Sequence, residues 1–493
     1  MELCRLLETV DTIEIKGETK GIEITHLTLD NRNCRQGSMF FALRGLITDG
    51  HRYIAGAKER GAVAAVVEEF TDDDIIQIKV NDSRSAMSVI AAAYNGFPAH
   101  DMRFLGVTGT NGKTSITFMI RQMLWQRGVK VGMIGTSGIY VGYEKLEIPI
   151  STSTTPDPIE LQYILRVLKE NGVDTVVMEV TAQALHLRKV EGINFVSGVF
   201  TNLTQDHLEF FGTMEIYAAA KRKLFAGARC RYAVVNLDDE QGRLIAKETD
   251  CELLTYAAER PADLKAENIV LRAQSCEYEL LYKQQSYKVQ LPMTGLFNVY
   301  NSLGVIGAML GYGMKIGEIL SALAAFKGTP GRFETPNMHG EPFSVVIDYA
   351  HTPDGLENIL KAVSGYKQGR LIAVFGCGGN RDTKKRAIMG AIAQKYSDYC
   401  VITSDNPRFE DPDEIIRQIV AGMDAGANDY CAVENRAKAI AKAMSMAQAG
   451  DVIVIAGKGD EDYQEICGVK HHFSDRETVE GLLETKDFNS QEN

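Results

Sequence analysis

At 493 residues the chain exceeds what one hydrophobic core supports, and at roughly 150 residues per domain it divides into about three. Hydrophobic residues at 45% and charged ones at 24% exclude a disordered chain, and 53 basic against 65 acidic side chains give a net charge of −12, which excludes a long basic surface for nucleic acid. Nine scattered cysteines without Cys-x-x-Cys spacing read as reduced thiols, no apolar run approaches the ~20 residues of a membrane helix, and Glu2, Glu8, Asp11 and Glu14 interrupt any secretory signal, so a cytoplasmic enzyme is expected.

Residues 1–98 mix strand-like runs at Ile22–Ile24, Ala62–Val67 and Ile75–Val80 with helical ones at Tyr53–Arg60 and Ala86–Tyr94. The segment Asn95-Gly96-Phe97-Pro98 marks a boundary through its Gly and Pro. Residues 99–330 then alternate strands (Val131–Ile134, Thr175–Val180, Ser197–Thr201, Tyr232–Asn236) with helices (Pro158–Glu170, Glu215–Ala226), the α/β signature of a largely parallel sheet. Residues 331–493 repeat it, with apolar runs at Ser344–Ile347, Leu371–Phe375, Tyr399–Thr403 and Val452–Ile455, and resemble a second doubly wound sheet with ligands past its strand ends.

Chemistry concentrates first at Gly106-Val107-Thr108-Gly109-Thr110-Asn111-Gly112-Lys113-Thr114, which follows apolar Phe104-Leu105 and precedes a helical stretch, Ser115–Gln126. This is a phosphate loop: turning glycines aim backbone N–H groups and a helix start at an anion, Lys113 adds charge and Thr114 a hydroxyl for Mg2+. Its glycine spacing is unusual, with five residues between Gly106 and Gly112 where four are common. Glu179 and His207 stand past strand ends and read either as magnesium ligands or as satisfied polar residues.

Lys221 reads by itself as a solvated helix charge, and Asn298 and Asn301, three apart, as a helix cap or a ligand contact. Arg332 offers a planar fork to phosphate, and Asp348, near His351, suits ribose hydroxyls or an ordinary turn. Three loops, 376–382, 404–412 and 457–461, each follow a strand and should converge, bringing two arginines and a glutamate to a substrate with carboxylate and ammonium groups.

On Gly109-Thr110-Asn111-Gly112-Lys113-Thr114, Asn202-Leu203-Thr204-Gln205-Asp206-His207, Asp348-Tyr349-Ala350-His351-Thr352-Pro353 and Asp405-Asn406-Pro407-Arg408, the chain resembles the Mur ligases almost end to end. The family's own loop has this glycine spacing. The resemblance implies three α/β domains: 1–98 for the uridine nucleotide, 99–330 as a P-loop ATPase-like centre, and 331–493 as a Rossmann-like domain that closes over the site. It implies a monomer, active in cytoplasmic peptidoglycan precursor synthesis without nucleic acid or membrane insertion. ATP and Mg2+ would convert the D-glutamate γ-carboxylate of UDP-MurNAc-L-Ala-D-Glu to an acyl phosphate, which the amine of meso-diaminopimelate attacks.

By the same resemblance, Gly109, Thr110, Asn111, Gly112, Lys113, Thr114, Asn298, Asn301, Arg332, Asp348 and His351 bind ATP. Lys113, Glu179, His207, Lys221 and Arg332 form the catalytic set, with Thr114, Glu179, His207 and a carbamylated Lys221 on magnesium. Leu29, Asn31, Ser153, Thr154, Thr155, Thr181 and Lys189 face the nucleotide-linked dipeptide; Arg381, Asp405, Asn406, Pro407, Arg408, Gly457 and Glu461 face diaminopimelate. Arg408 marks diaminopimelate over L-lysine. The sequence departs from the family at Asn31, at Thr181-Ala182-Gln183, at Lys189 and at Asp460. A paralogue with another amino acid or acceptor, and a P-loop ATPase or nucleotide-binding regulator without ligation, are the alternative readings.

Overall fold

The computed structural model describes residues 1–45, 48–150, 154–227, 229–272, 274–424, 426 and 429–491, of which 485–491 by their backbone alone. Its first sheet has five strands in the order Thr12–Lys16, Ile76–Val80, Ala62–Val67, Ser38–Phe41, His26–Thr28. All neighbours are parallel except the antiparallel edge strand Thr12–Lys16. Side chains alternate in direction along a strand, so Met39 and Phe41 join Val66, Ile78 and the helix residues Met87 and Ile90, while Phe40 joins Ala65, Ile54 and Ala57. Both faces are covered, as parallel strands require. The expected strand Ile22–Ile24 is not one: Leu3 N donates to Ile22 O and Ile24 N to Met1 O, so the N-terminal residues take its backbone groups, and the strand forms at His26–Thr28.

A second sheet of eleven strands has Arg103–Thr108 in its interior, between Phe195–Phe200 and Thr175–Glu179. Thr175–Glu179 pairs parallel with Arg103–Thr108 and with Val131–Gly135. Antiparallel strands extend both edges of the sheet: Gly138–Val141 with Glu144–Leu146 at one, and, beyond the parallel Leu264–Leu271, Cys276–Tyr282 and Gln285–Leu291 at the other. The alternating burial of Cys276, Tyr278 and Leu280 matches a one-sided strand, and Lys283 and Gln284, both at positive φ (49° and 62°), close the last hairpin in two residues.

The last sheet is wholly parallel in the order Ser344–Asp348, Val452–Ala456, Leu371–Phe375, Tyr399–Ile402, Tyr430–Ala432. Helices Pro353–Ser364, Lys384–Tyr396 and Pro412–Val420 bury Leu356, Met389 and Ile419 on one face; Arg436–Met446 and the final helix bury Ile440 and Val479 on the other. A short hairpin, Tyr463–Ile466 with Val469–His472, follows the second strand of this order. The chain divides into two compact units, Met1–Thr108 with Leu124–Gly198 and Ala220–Tyr232, and Gly109–Met123 with Val199–Ala219 and Ala233–Asn493.

Candidate active site

The phosphate loop, which opens the second unit at Gly109, follows the strand Arg103–Thr108 in the chain and leads into the helix Lys113–Gln126. Gly106 lies inside that strand, paired with Met178, so the loop proper begins at Gly109, with two residues between it and Gly112. Gly109 (φ +149°) and Gly112 (φ +88°) are required: a Cβ would stand 1.8 Å from Thr201 Oγ1 at the first and 2.4 Å from Asn301 Oδ1 at the second. Residues 201–204 hold the loop. Thr110 N donates to Asn202 O (2.9 Å), Asn111 N to Asn202 Oδ1 (2.9 Å), Thr201 Oγ1 to Asn111 O (2.6 Å) and Thr204 N to Thr110 Oγ1 (3.0 Å).

Lys113 Nζ turns back to Gly109 O (3.0 Å) and Thr110 O (2.8 Å), and the buried Thr114 hydroxyl accepts from Arg332 Nη2 at 3.1 Å. Asn111 Nδ2 donates to Asp354 Oδ2 at 2.6 Å. Asn298 and Asn301 are both buried in the helix Leu296–Tyr312, whose N-cap is Gly295; Asn298 Nδ2 donates to Thr294 O (2.7 Å), which is not a capping bond.

Arg332 sits over the Tyr349 ring at 4.1 Å, and Tyr349 meets His351 with ring centroids 4.8 Å apart. Asp348 accepts from Phe333 N (2.7 Å) and Ala350 N (2.8 Å), and burial raises its pKa against the pull of Arg332. Burial, with Lys385 nearby, lowers His351 to about 4 and keeps the ring neutral; its Nδ1 lies 2.9 Å from Tyr349 O. His207 is left-handed (φ 54°), with Nε2 3.4 Å from Asp206 Oδ2 and Nδ1 3.7 Å from Glu209 Oε1. Burial would raise Asp206, but His207, His351 and Lys385 together hold it below the ordinary range. These acids extend the expected set; Asp206 stands in the quoted run, and Glu209 only two residues past its histidine.

In the first unit, Glu179 is buried and accepts from Thr136 N (2.9 Å) and Thr136 Oγ1 (3.3 Å). Thr154 Oγ1 lies 2.9 Å from Thr136 Oγ1, and Thr155 Oγ1 donates to Glu179 O (2.9 Å) and accepts from Thr181 N (3.1 Å). Lys189 pairs with Asp157 at 2.8 Å and donates to Thr155 O at 3.5 Å, so four of the expected acceptor residues are linked in one group around Glu179. Leu29 is exposed and Asn31 abuts Gly56; Ser153 lies outside the described residues. Lys221 is buried in the helix Met214–Arg222, which overturns its reading as a solvated charge.

The three C-terminal loops do converge. Gly379 N donates to Asn406 O (2.9 Å), Asn406 Nδ2 to Glu461 Oε2 (3.0 Å), and the buried Lys458 ammonium to both Glu461 Oε2 (3.0 Å) and Asn406 Oδ1 (3.3 Å). Arg408 and Arg381 border Gly378, yet their partners differ: Arg408 pairs with Glu465, and Arg381 Nη1 lies 4.0 Å from Glu209. Pro407 O accepts from Glu410 N (3.0 Å), and Gly457 approaches Asp405 so closely that a Cβ would be 2.7 Å from its Oδ2. Burial opposes ionisation of Asp405, while Lys458 and Arg436 hold it below the ordinary range. Lys458, Glu465 and Arg436 escape a sequence reading because nothing local marks their burial or partners.

Mg2+ takes oxygen donors, retains water and shares phosphate oxygens, so it needs no closed protein cage. The Thr114 hydroxyl and the Glu179 carboxylate are donors of that kind, and His207 Nδ1 is buried without a hydrogen-bond partner. Among the described residues no group of three or more His, Cys, Asp or Glu forms a closed metal cluster, and no helix is long and apolar enough to cross a membrane.

Three family models match the chain: "Mur ligase family, catalytic domain" over 23–103, "Mur ligase middle domain" over 107–309 and "Mur ligase, glutamate ligase domain" over 331–459. A UDP-N-acetylmuramoyl-L-alanyl-D-glutamate--2,6-diaminopimelate ligase of Clostridioides difficile is 43% identical over 491 residues, 98% of this chain and 99% of that protein. A solved structure of a ligase with the same name superposes with a TM-score of 0.69 at 31% identity, covering 96% of this chain and 98% of the other. The MurF ligase from Thermotoga maritima in complex with ADP shares the fold, with a TM-score of 0.61 at 19% identity over 95% of this chain and 99% of its own.

Proposed function

The chain belongs to the Mur ligase family, and we infer from that premise that it is an ATP-dependent amide ligase joining 2,6-diaminopimelate to UDP-N-acetylmuramoyl-L-alanyl-D-glutamate in peptidoglycan precursor synthesis. A carboxylate is a poor electrophile. Phosphorylation by ATP turns the γ-carboxylate into an acyl phosphate and releases ADP; the amine then adds to the acyl carbon, and the tetrahedral intermediate expels phosphate as the amide forms.

The task for the protein is to bring anions together and neutralise them. Lys113 exchanges the loop carbonyls for phosphate oxygens, and Arg332, already at Thr114, meets the transferring phosphoryl group. Asn298 and Asn301 serve the adenine side, Asp348 the ribose and His351, as a neutral ring, the phosphate side. Thr114, Glu179, His207 and Lys221 as its carbamate would hold magnesium, which would supply Lewis-acid charge neutralisation when bound. Burial of Lys221 penalises an unpaired ammonium, and as a carbamate its opposite charge would be balanced by the magnesium it holds. Thr154, Thr155, Thr181 and Lys189 orient the acceptor dipeptide, with Leu29 and Asn31 toward its nucleotide.

The observation that carries the amino-acid reading is the convergence of Arg408, Asn406 and Glu461 on one loop cluster, which offers a cation to a distal carboxylate and a carboxylate to an ammonium. Diaminopimelate carries both groups at its distal end, which lysine does not, and its meso isomer is the proposed substrate. We place the enzyme in the cytoplasm, a reading supported by scattered cysteines without Cys-x-x-Cys spacing, and take it as a three-domain monomer. Phosphate release that requires both the UDP-linked dipeptide and diaminopimelate, with the tripeptide product seen by mass, is the expected result. Release without any amino acid would make the protein a plain ATPase, and equal turnover of L-lysine would remove the specificity.

A further inference from the structure

Arg408 is held on several sides. Its backbone is left-handed (φ 53°), its N donates to Glu465 O (3.0 Å), and its O accepts from Cys467 N (2.7 Å). The hairpin strand Tyr463–Ile466 therefore lies alongside 405–408. Gln464 Nε2 donates to Asp405 O (2.6 Å) and Glu465 N to Asn406 Oδ1 (2.9 Å), which continues the seam. Within it, Arg408 Nε donates to Glu465 Oε2 at 3.1 Å and Nη1 to Gly379 O at 3.0 Å. The two bonds fix the guanidinium plane and leave the Nη2 end as the fork for another carboxylate.

We propose that Glu465 is a positioning residue for amino-acid selection: its carboxylate aims Arg408 at the distal carboxylate of the incoming amino acid. This rests on the diaminopimelate reading above. An unanchored arginine samples many rotamers and loses order that binding must restore. Its charge alone would then attract a carboxylate without fixing its position. Glu465 is partly exposed and carries no part of the hydrophobic core, so its removal tests aim separately from folding.

The test is steady-state kinetics of Glu465→Ala and Glu465→Gln with diaminopimelate and with L-lysine, at saturating ATP and acceptor, with thermal melts in parallel. Glu465→Ala should raise KM for diaminopimelate about tenfold, with KM for ATP and the melt unchanged, and should narrow the preference over lysine. Glu465→Gln, which keeps an acceptor oxygen for Nε, should recover most of the loss. An unchanged diaminopimelate KM in Glu465→Ala, or equal loss for every substrate, overturns the proposal. If the unmodified protein ignores diaminopimelate, the functional reading itself has failed, and that control separates the two.

Discussion

Arg332 spans two groups at once: its Nη2 donates to the Thr114 hydroxyl at 3.1 Å while its guanidinium lies over the Tyr349 ring at 4.1 Å. The stack fixes the side chain from behind, and Nε remains buried without a partner. Such a preorganised cation acts on charge that develops in the transition state. Arg332→Ala should therefore lower kcat for ligation by about 10²–10³ with a smaller change in the KM for ATP. Arg332→Lys should restore little, because a lysine lacks both the planar fork and the stack. Phosphate-release kinetics decide it; a change confined to KM would assign Arg332 to ground-state binding.

The phosphate loop gives a second expectation. Gly109 has no room for a side chain, since a Cβ at 1.8 Å from Thr201 Oγ1 would break the bond from that hydroxyl to Asn111 O. Gly109→Ala should cost about 1–3 kcal/mol of stability and weaken ATP binding more than tenfold. Urea unfolding and nucleotide titration measure the two effects. Retained ATP affinity would show that the loop tolerates a different turn.

Much of this site was legible because apolar runs end abruptly in polar ones. Glu179 closes a strand, and 376–382, 404–412 and 457–461 follow strands of one parallel sheet, so their convergence follows from topology. The phosphate loop was legible from its glycines, although Gly106 proved to belong to the strand. What stayed hidden depends on partners far apart in the chain. Lys221 looks like any helix lysine until its burial is seen, and Glu465 has no local mark, being 57 residues from Arg408. Ile22–Ile24 misled because apolar spacing says nothing of which backbone takes its hydrogen bonds, here those of Met1 and Leu3.

His351 predicts a pH dependence of stability. Its folded pKa is about 4 against an ordinary 6.5, so between those values the unfolded chain binds the proton more readily. The stability contributed by the neutral ring is complete above pH 6.5 and is lost as pH falls toward 4, by up to about 3 kcal/mol. Asp348 and Asp354, raised by burial, act in the opposite direction, so the comparison must be with a variant. His351→Gln keeps a neutral polar group and should flatten the stability curve between pH 4 and 6.5 relative to the unmodified protein. Parallel curves from urea unfolding would reject the buried neutral ring.

Arg436 and Asp475 form a fully buried pair, with Nε to Oδ1 at 2.7 Å and Nη2 to Oδ2 at 2.8 Å. The arginine also donates to Ala456 O (3.0 Å) and Ser404 O (3.5 Å), the residues from which two of the three converging loops depart. Truncation leaves Asp475 charged and alone while both carbonyls lose a donor, so Arg436→Ala should destabilise by about 3–5 kcal/mol. Replacing both partners with apolar residues, Arg436→Met with Asp475→Leu, removes the orphaned charge and should cost much less. It cannot repair the loops. Arg436 is the second cation holding Asp405 ionised, after Lys458, and its loss raises Asp405 toward the ordinary range. The double variant should therefore be nearly as stable as the unmodified protein in urea yet show a raised KM for diaminopimelate, several-fold at least, with ATP unaffected. A double variant that is stable and kinetically normal would confine the pair to folding alone.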